Sequence, residues 1–154
     1  MRESLVVAVL TAAALGAALA GSACGGGAED SGLATVKIGS LRVQAEVPEG
    51  DQFYRGLGGR DSLADDRGML FVFTTAGRHA IWMRDMLIPI DVIWMSAGGR
   101  VVDIQTAQPE PGVPDEQLKR YRPGDPALYV LEVRAGLAAE KGVRVGDEAE
   151  IQLP

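Results

Sequence analysis

From Thr35 onward the apolar residues of this chain recur at a spacing of two in short runs, and each run is cut off by Gly or Pro. That punctuation leaves room for short strands and for no long helix. Thr35-Val36-Lys37-Ile38 and Leu41-Arg42-Val43-Gln44-Ala45-Glu46-Val47 alternate apolar and polar around Gly39-Ser40, the residue pair of a two-residue hairpin turn. Pro48 closes that hairpin. Glu49 to Leu57 predicts a short helix with Phe53 and Leu57 on one face, ended by Gly56, Gly58 and Gly59.

Gly68-Met69-Leu70-Phe71-Val72-Phe73 is almost wholly apolar, as expected of a strand buried on both faces. In the stretch from His79 to Met95, Pro89 and the β-branched Ile81, Ile88, Ile90, Val92 and Ile93 argue against one long helix. It reads as two strands joined near Arg84 to Leu87. Further strands are expected at Arg100 to Gln105, Ala127 to Val133 and Glu148 to Leu153, with a brief helix over Ala135 to Lys141 that ends on Gly142. Gln108 to Pro126 holds five Pro and a single aromatic, Tyr121, and reads as a long surface loop of a length that invites a functional role. The expected architecture is mainly β (α+β): one small barrel-like domain of seven or eight short strands and two short helices. Closure would remove the edges that such strands leave exposed.

The amino terminus carries a different signal. Leu5 to Ala20 is an uncharged apolar run, shorter than the roughly 20 residues of a membrane-spanning helix, and fits the h-region of a secretory signal. Two processing sites follow it. Ala18-Leu19-Ala20 matches small-x-small cleavage and would give a secreted protein, whereas Gly21-Ser22-Ala23-Cys24 resembles the lipobox of bacterial lipoproteins, in which the Cys sulfur takes a lipid. The sole Cys lies directly after the apolar run and ahead of a Gly25-Gly26-Gly27 tether, which favours lipidation. The resulting division is a signal peptide over 1–23, a lipidated Cys24 and flexible linker over 24–33, and a β-rich domain over 34–154. The expected location is outside the cytoplasm, anchored to the cell membrane of a bacterial envelope through that lipid.

Charge and cysteine content remove several function classes. With 21 acidic residues against 15 basic ones and a net charge of −6, the chain lacks the footprint of a nucleic-acid binder. One Cys excludes an intramolecular disulfide and a Cys-built zinc cage. There is no Gly-x-Ser-x-Gly elbow to accompany the one His. Gly56-Leu57-Gly58-Gly59-Arg60 lacks the remaining residues of a phosphate loop and reads as a turn.

Arg55-Gly56-Leu57, Arg60, Leu63, Gly68 to Phe73, Trp82-Met83-Arg84-Asp85, Ile88-Pro89-Ile90-Asp91-Val92, Val130-Leu131-Glu132-Val133, Ala135-Gly136 and Gly146-Asp147 follow one another in the order of a known motif set. From about Val43 to Leu153 the chain resembles the domain of unknown function number 192. The resemblance implies a compact β-rich domain, often exported from bacterial and archaeal cells, without an agreed activity or a catalytic residue list. The chain departs from the family pattern at Gly58, where Met is common, at Asp85, where Asn is common, and at Met86, where Thr is common.

The residues that carry chemistry form three alternatives. Asp91 and Glu132 are charges set inside apolar strands, where burial is costly without donors or a cation, and Arg55, Arg60 and Arg84 are available partners. The preferred site places Asp91 and Glu132 opposite Arg84 and Arg55, lined by Trp82 and Tyr121, at one mouth of the fold. It suits a small polar ligand such as a sugar or an anionic metabolite, held by a non-enzymatic binding or accessory module, and requires no cofactor and no metal. An envelope protein is the other expected partner. The rivals are an enzyme using the Asp91 and Glu132 carboxylates, and a Cu(I)-handling protein using His79, Met83 and Met86 with Met95 nearby.

Overall fold

The computed structural model describes residues 32–154. The expected signal segment, Cys24 and nearly all of the expected linker lie outside the described residues. Seven strands form a single sheet: β1 (Leu33–Ile38), β2 (Leu41–Glu46), β3 (Arg67–Gly77), β4 (Ile90–Met95), β5 (Val101–Ala107), β6 (Ala127–Arg134) and β7 (Ala149–Gln152). Two short helices interrupt them, α1 (Asp51–Arg55) and α2 (Leu137–Glu140). The spatial order is β5-β4-β6-β3-β2-β1-β7. Among the described residues no helix is long and apolar enough to cross a membrane.

The hairpin forms where alternation and turn chemistry place it, with Ile38 opposite Leu41 across Gly39-Ser40. β2 and β3 run parallel, so the chain must cross from the end of one to the start of the other. That crossing carries α1. It is tied back to the sheet by Arg60, whose guanidinium grips the Glu46 carboxylate with bonds of 2.6 and 2.8 Å. The same contact holds the Glu46 carboxyl below its ordinary range.

The sheet is not closed into a barrel, contrary to the barrel-like expectation. β7 is only four residues long and pairs with β1, so it meets the opposite edge at a single bridge, Arg100 to Glu148. Gly99 makes that approach possible. Its φ is +82°, and a Cβ there would lie 2.7 Å from the Ala149 carbonyl oxygen. The bent sheet is thereby pinned at one corner without an eighth strand.

β3, β4 and β6 occupy the middle of the sheet and are covered on both sides. One face packs Val36, Val43, Leu70, Ile93 and Leu131 with Leu137 of α2. The other packs Met69, Phe71, Val92, Trp94 and Val130 against Leu57, Ile81, Met83 and Met86. This explains why all six residues of β4 are buried.

Residues 79–89 therefore do not supply the first of two expected strands. β4 pairs with β5 and β6, and no strand of the sheet pairs with this segment. It crosses a face of the sheet instead, touching strand geometry only at the Ile81–Tyr121 bridge. Asp85 turns it with a φ of +55°, the only positive φ of a non-glycine among the described residues.

Neighbouring strands in register present paired residues to the same face, and this separates the two buried carboxyls. Asp91 pairs with Val133, whereas Glu132 pairs with Val92. Asp91 thus faces the α2 side and Glu132 the opposite side, correcting the expectation that they share one site. Asp91, 2% exposed, meets no arginine among the described residues. Its carboxylate accepts the Thr106 hydroxyl at 2.7 Å and the Ala138 amide at 3.0 Å. The second bond serves an amide of the first turn of α2, whose own cap position, Gly136, offers no side chain. Replacing Asp91 with Ala leaves that buried N–H without an acceptor and is expected to cost about 1–3 kcal/mol, with Asp91→Asn milder because it still accepts. Urea unfolding of both variants checks this, and an Ala variant as stable as wild type would remove Asp91 from the role.

Candidate functional site

Glu132 is the most unusual residue on the opposite face. Only 4% of it is exposed, and among the described residues its carboxyl makes no hydrogen bond and no ion pair. Burial alone pushes its pKa up from an ordinary 4.5 to about 8. The carboxyl borders a cavity of about 300 Å³ whose floor is formed by β3 and β6.

Aromatic rings build the first wall. Phe73 and Phe71 project from β3, and Phe53 of α1 meets them edge to face at centroid distances of 5.5 and 5.3 Å. A five-residue helix has little stability of its own, so this packing is what holds α1 in place. Gly56 ends the helix with a φ of +55°, and its backbone passes directly over the acid. A Cβ there would sit 3.5 Å from the Phe71 ring and 3.8 Å from Glu132 Oε2. Only glycine both takes that turn without strain and keeps the space beside the acid open.

Arginines line the rest. Arg55 leaves the end of α1 and makes no ion pair among the described residues. Arg84 lies 3.0 Å from Asp115 and 5.7 Å from the centre of the Trp82 ring. Arg120 stacks on the other part of the same wall, 3.9 Å from that ring centre, and donates to the Asp115 carbonyl at 3.2 Å. Arg122 donates to the Arg78 carbonyl at 3.3 Å. Both of the last two come from the proline-rich stretch after β5, so that loop does form part of the cavity wall.

Of the side chains expected to converge, Arg55, Trp82, Arg84 and Glu132 border this cavity. Asp91 is on the other face. Tyr121 lies behind the wall: it is buried, bridges Ile81, and its hydroxyl accepts the Gln108 amide at 3.3 Å. Phe53, Tyr54, Phe73, Arg120 and Arg122 also line the cavity, beyond the expected set. The Arg-Tyr-Arg alternation at 120–122 was the available signal, since a buried Tyr121 sends both neighbours the other way.

The sulfur and imidazole groups do not form a comparable arrangement. The His79 ring stacks on Phe73 at 3.6 Å, and its Nε2 lies 2.8 Å from the Thr75 carbonyl oxygen. Met83 and Met86 pack in the cavity-side core, and Met95 packs on the opposite face. Among the described residues no three His, Cys, Asp or Glu side chains stand close enough to hold a metal ion.

Comparison with known proteins matches residues 34–151 to the DUF192 family, described as Uncharacterized ACR. The chain belongs to the DUF192 family. It is 34% identical over 84 residues to a UPF0127 protein of Thermococcus gammatolerans, covering 53% of this chain and 50% of that protein. It is 36% identical over 73 residues to UPF0127 protein TK1120 of Thermococcus kodakarensis, covering 47% and 41%. The chain thus spans about half the length of these curated relatives or less. Among solved structures, it resembles a protein of unknown function from Novosphingobium aromaticivorans with a TM-score of 0.65 and 30% identity, covering 77% of this chain and 83% of that one. A Sinorhizobium meliloti protein, whose name refers to transcription regulation, gives a TM-score of 0.63 and 28% identity over 77% and 91% of the chains.

One departure from the DUF192 pattern now has a physical reading. Asp85 stands where Asn is common, and its backbone is left-handed, a conformation that Asp and Asn both tolerate better than other non-glycine residues. The substitution keeps the turn.

The position of Glu132 sets a pH dependence for the fold. The native protein keeps a proton there up to about pH 8, whereas the unfolded chain releases it near 4.5. The folded state therefore binds more protons between those values, and stability falls as pH rises across that window. Carboxyls with lowered pKa, such as Glu46, act with the opposite sign and only at the acid end. The urea midpoint is expected to drop between roughly pH 5 and pH 8, and Glu132→Gln to flatten the drop. Identical slopes for the two proteins would mean that Glu132 titrates normally.

Proposed function

We propose that this protein is a lipid-anchored module of the bacterial envelope that holds a small molecule in the cavity bordered by Glu132, Arg55, Trp82 and Arg84. The supporting observation is the carboxyl of Glu132, almost completely removed from water, facing an open volume and using none of its hydrogen-bonding capacity on the protein. With no donor from the protein, the carboxyl has its hydrogen-bonding capacity turned to the cavity, where an occupant can use it. The cavity is at the small end of ligand sites, which suits a metabolite-sized occupant.

A second reading rests on the same carboxyl. A group that changes protonation near pH 8 beside a cavity can act as a general acid or base. With Asp91 on the opposite face, such an enzyme would work with one carboxyl and not a pair. The binding reading is preferred because the cavity presents no nucleophile or second acid beside Glu132.

A thermal-shift panel of metabolites, sugars, nucleotides and metal ions against the purified chain is expected to yield stabilising small molecules, since a ligand of the native state raises apparent stability. Trp82→Ala is expected to weaken any hit about tenfold or more. Silence across the panel counts against the reading. For the anchor, Cys24→Ser is expected to move the protein from the membrane fraction to the soluble one; unchanged fractionation refutes the lipid.

A further inference from the structure

The chain as a whole is acidic, with a net charge of −6, yet four arginines border the cavity. The carboxylates of Asp115 and Asp85, 3.0 and 3.6 Å away, answer one of them, Arg84, and Arg55 answers to none among the described residues. Local charge at the cavity is thus opposite in sign to that of the molecule, the arrangement that gathers anions from solution. Below the arginines the walls turn apolar. Phe53, Phe71, Phe73, Leu57, Ile81 and Met86 offer ring faces, ring edges and methyl groups and no side-chain hydrogen bonds. A sugar brings a hydroxyl on almost every carbon, and most of these would be stranded against such walls, at a cost for each one. An aromatic ring would strand nothing and could join the edge-to-face cluster already present. Among the side chains that border the cavity, Glu132 is the one carboxyl.

We propose that the occupant is a small aromatic carboxylate, its ring among Phe53, Phe71 and Phe73, its carboxylate among Arg55, Arg84 and Arg122, and a single polar substituent hydrogen-bonded to Glu132. This rests on the small-molecule reading above and narrows it to one ligand class. Arg120 takes a different part, because its guanidinium is stacked on Trp82 and holds that wall upright. Arg55 is the most direct anion contact, since it is exposed and forms no ion pair within the described residues.

The test uses the full chain and three probes: 3-(4-hydroxyphenyl)propionate, the corresponding uncharged amide, and glucose. Isothermal titration is expected to show the carboxylate binding about tenfold or more tightly than the amide, with glucose giving no heat. Added salt should weaken the carboxylate and leave the amide unaffected. Arg55→Gln, a change at an exposed side chain that need not disturb folding, should bring the carboxylate down towards the amide. Equal affinities for carboxylate and amide, or an Arg55→Gln variant that keeps the full preference, overturns the anion assignment while leaving a small-molecule site in place. Tighter binding of glucose overturns the aromatic assignment in the same way. No heat from any of the three, together with silence across the wider panel, removes the site itself.

Discussion

The structure depends on the double-sided burial of β3, β4 and β6. All of β4, the Gly68–Phe71 part of β3 and the Val130–Val133 part of β6 are buried on both faces, so their side chains enter one of two compartments, and strand pairing dictates which. Everything irregular in the molecule follows as covering material. The hairpin and α2 close one side, while α1, the segment before β4 and the proline-rich loop close the other. The second cover is made of pieces without continuous backbone pairing, so it meets the sheet imperfectly, and the cavity is where the pieces fail to join.

The two carboxyls buried in this sandwich illustrate opposite solutions to the same cost. Asp91 is met by two donors: a hydroxyl from the adjacent strand and an amide from the start of a helix. Its burial secures α2 against the sheet. Glu132, one strand away, receives no donor among the described residues, and burial pushes its pKa up to about 8. A carboxyl whose pKa is raised by burial and which faces a cavity marks a place where function is most profitably sought. That contrast, more than the presence of two acids, directs attention to the cavity.

Much of the fold was legible in residue order. The period of two, the Gly39-Ser40 turn, the apolar run of β3 and the helix ended by Gly56 each rest on local rules that hold whatever the rest of the chain does. The segment from His79 to Leu87 has β-branched and aromatic residues that suit a strand, yet it makes only the Ile81–Tyr121 bridge, because propensity does not say which partner strand a segment will find. Of the cavity, Arg55, Trp82, Arg84 and Glu132 were recognisable as charges and an aromatic set among apolar neighbours. The phenylalanines were not, since in sequence they look like ordinary core, and Arg120 and Arg122 looked like solvated loop.

By itself the sequence determined membership of the DUF192 family, a mainly β class, the hairpin, and the fact that Asp91 and Glu132 would sit among apolar residues. Local alternation fixes on which side of its own strand a residue lies relative to its neighbours. It cannot relate one strand to another, because that relation is set by long-range hydrogen-bond register. Only the tertiary structure decided that Asp91 and Glu132 face opposite compartments, that the sheet stays open with its edges meeting at one bridge, and that arginines distant in sequence surround a single buried acid.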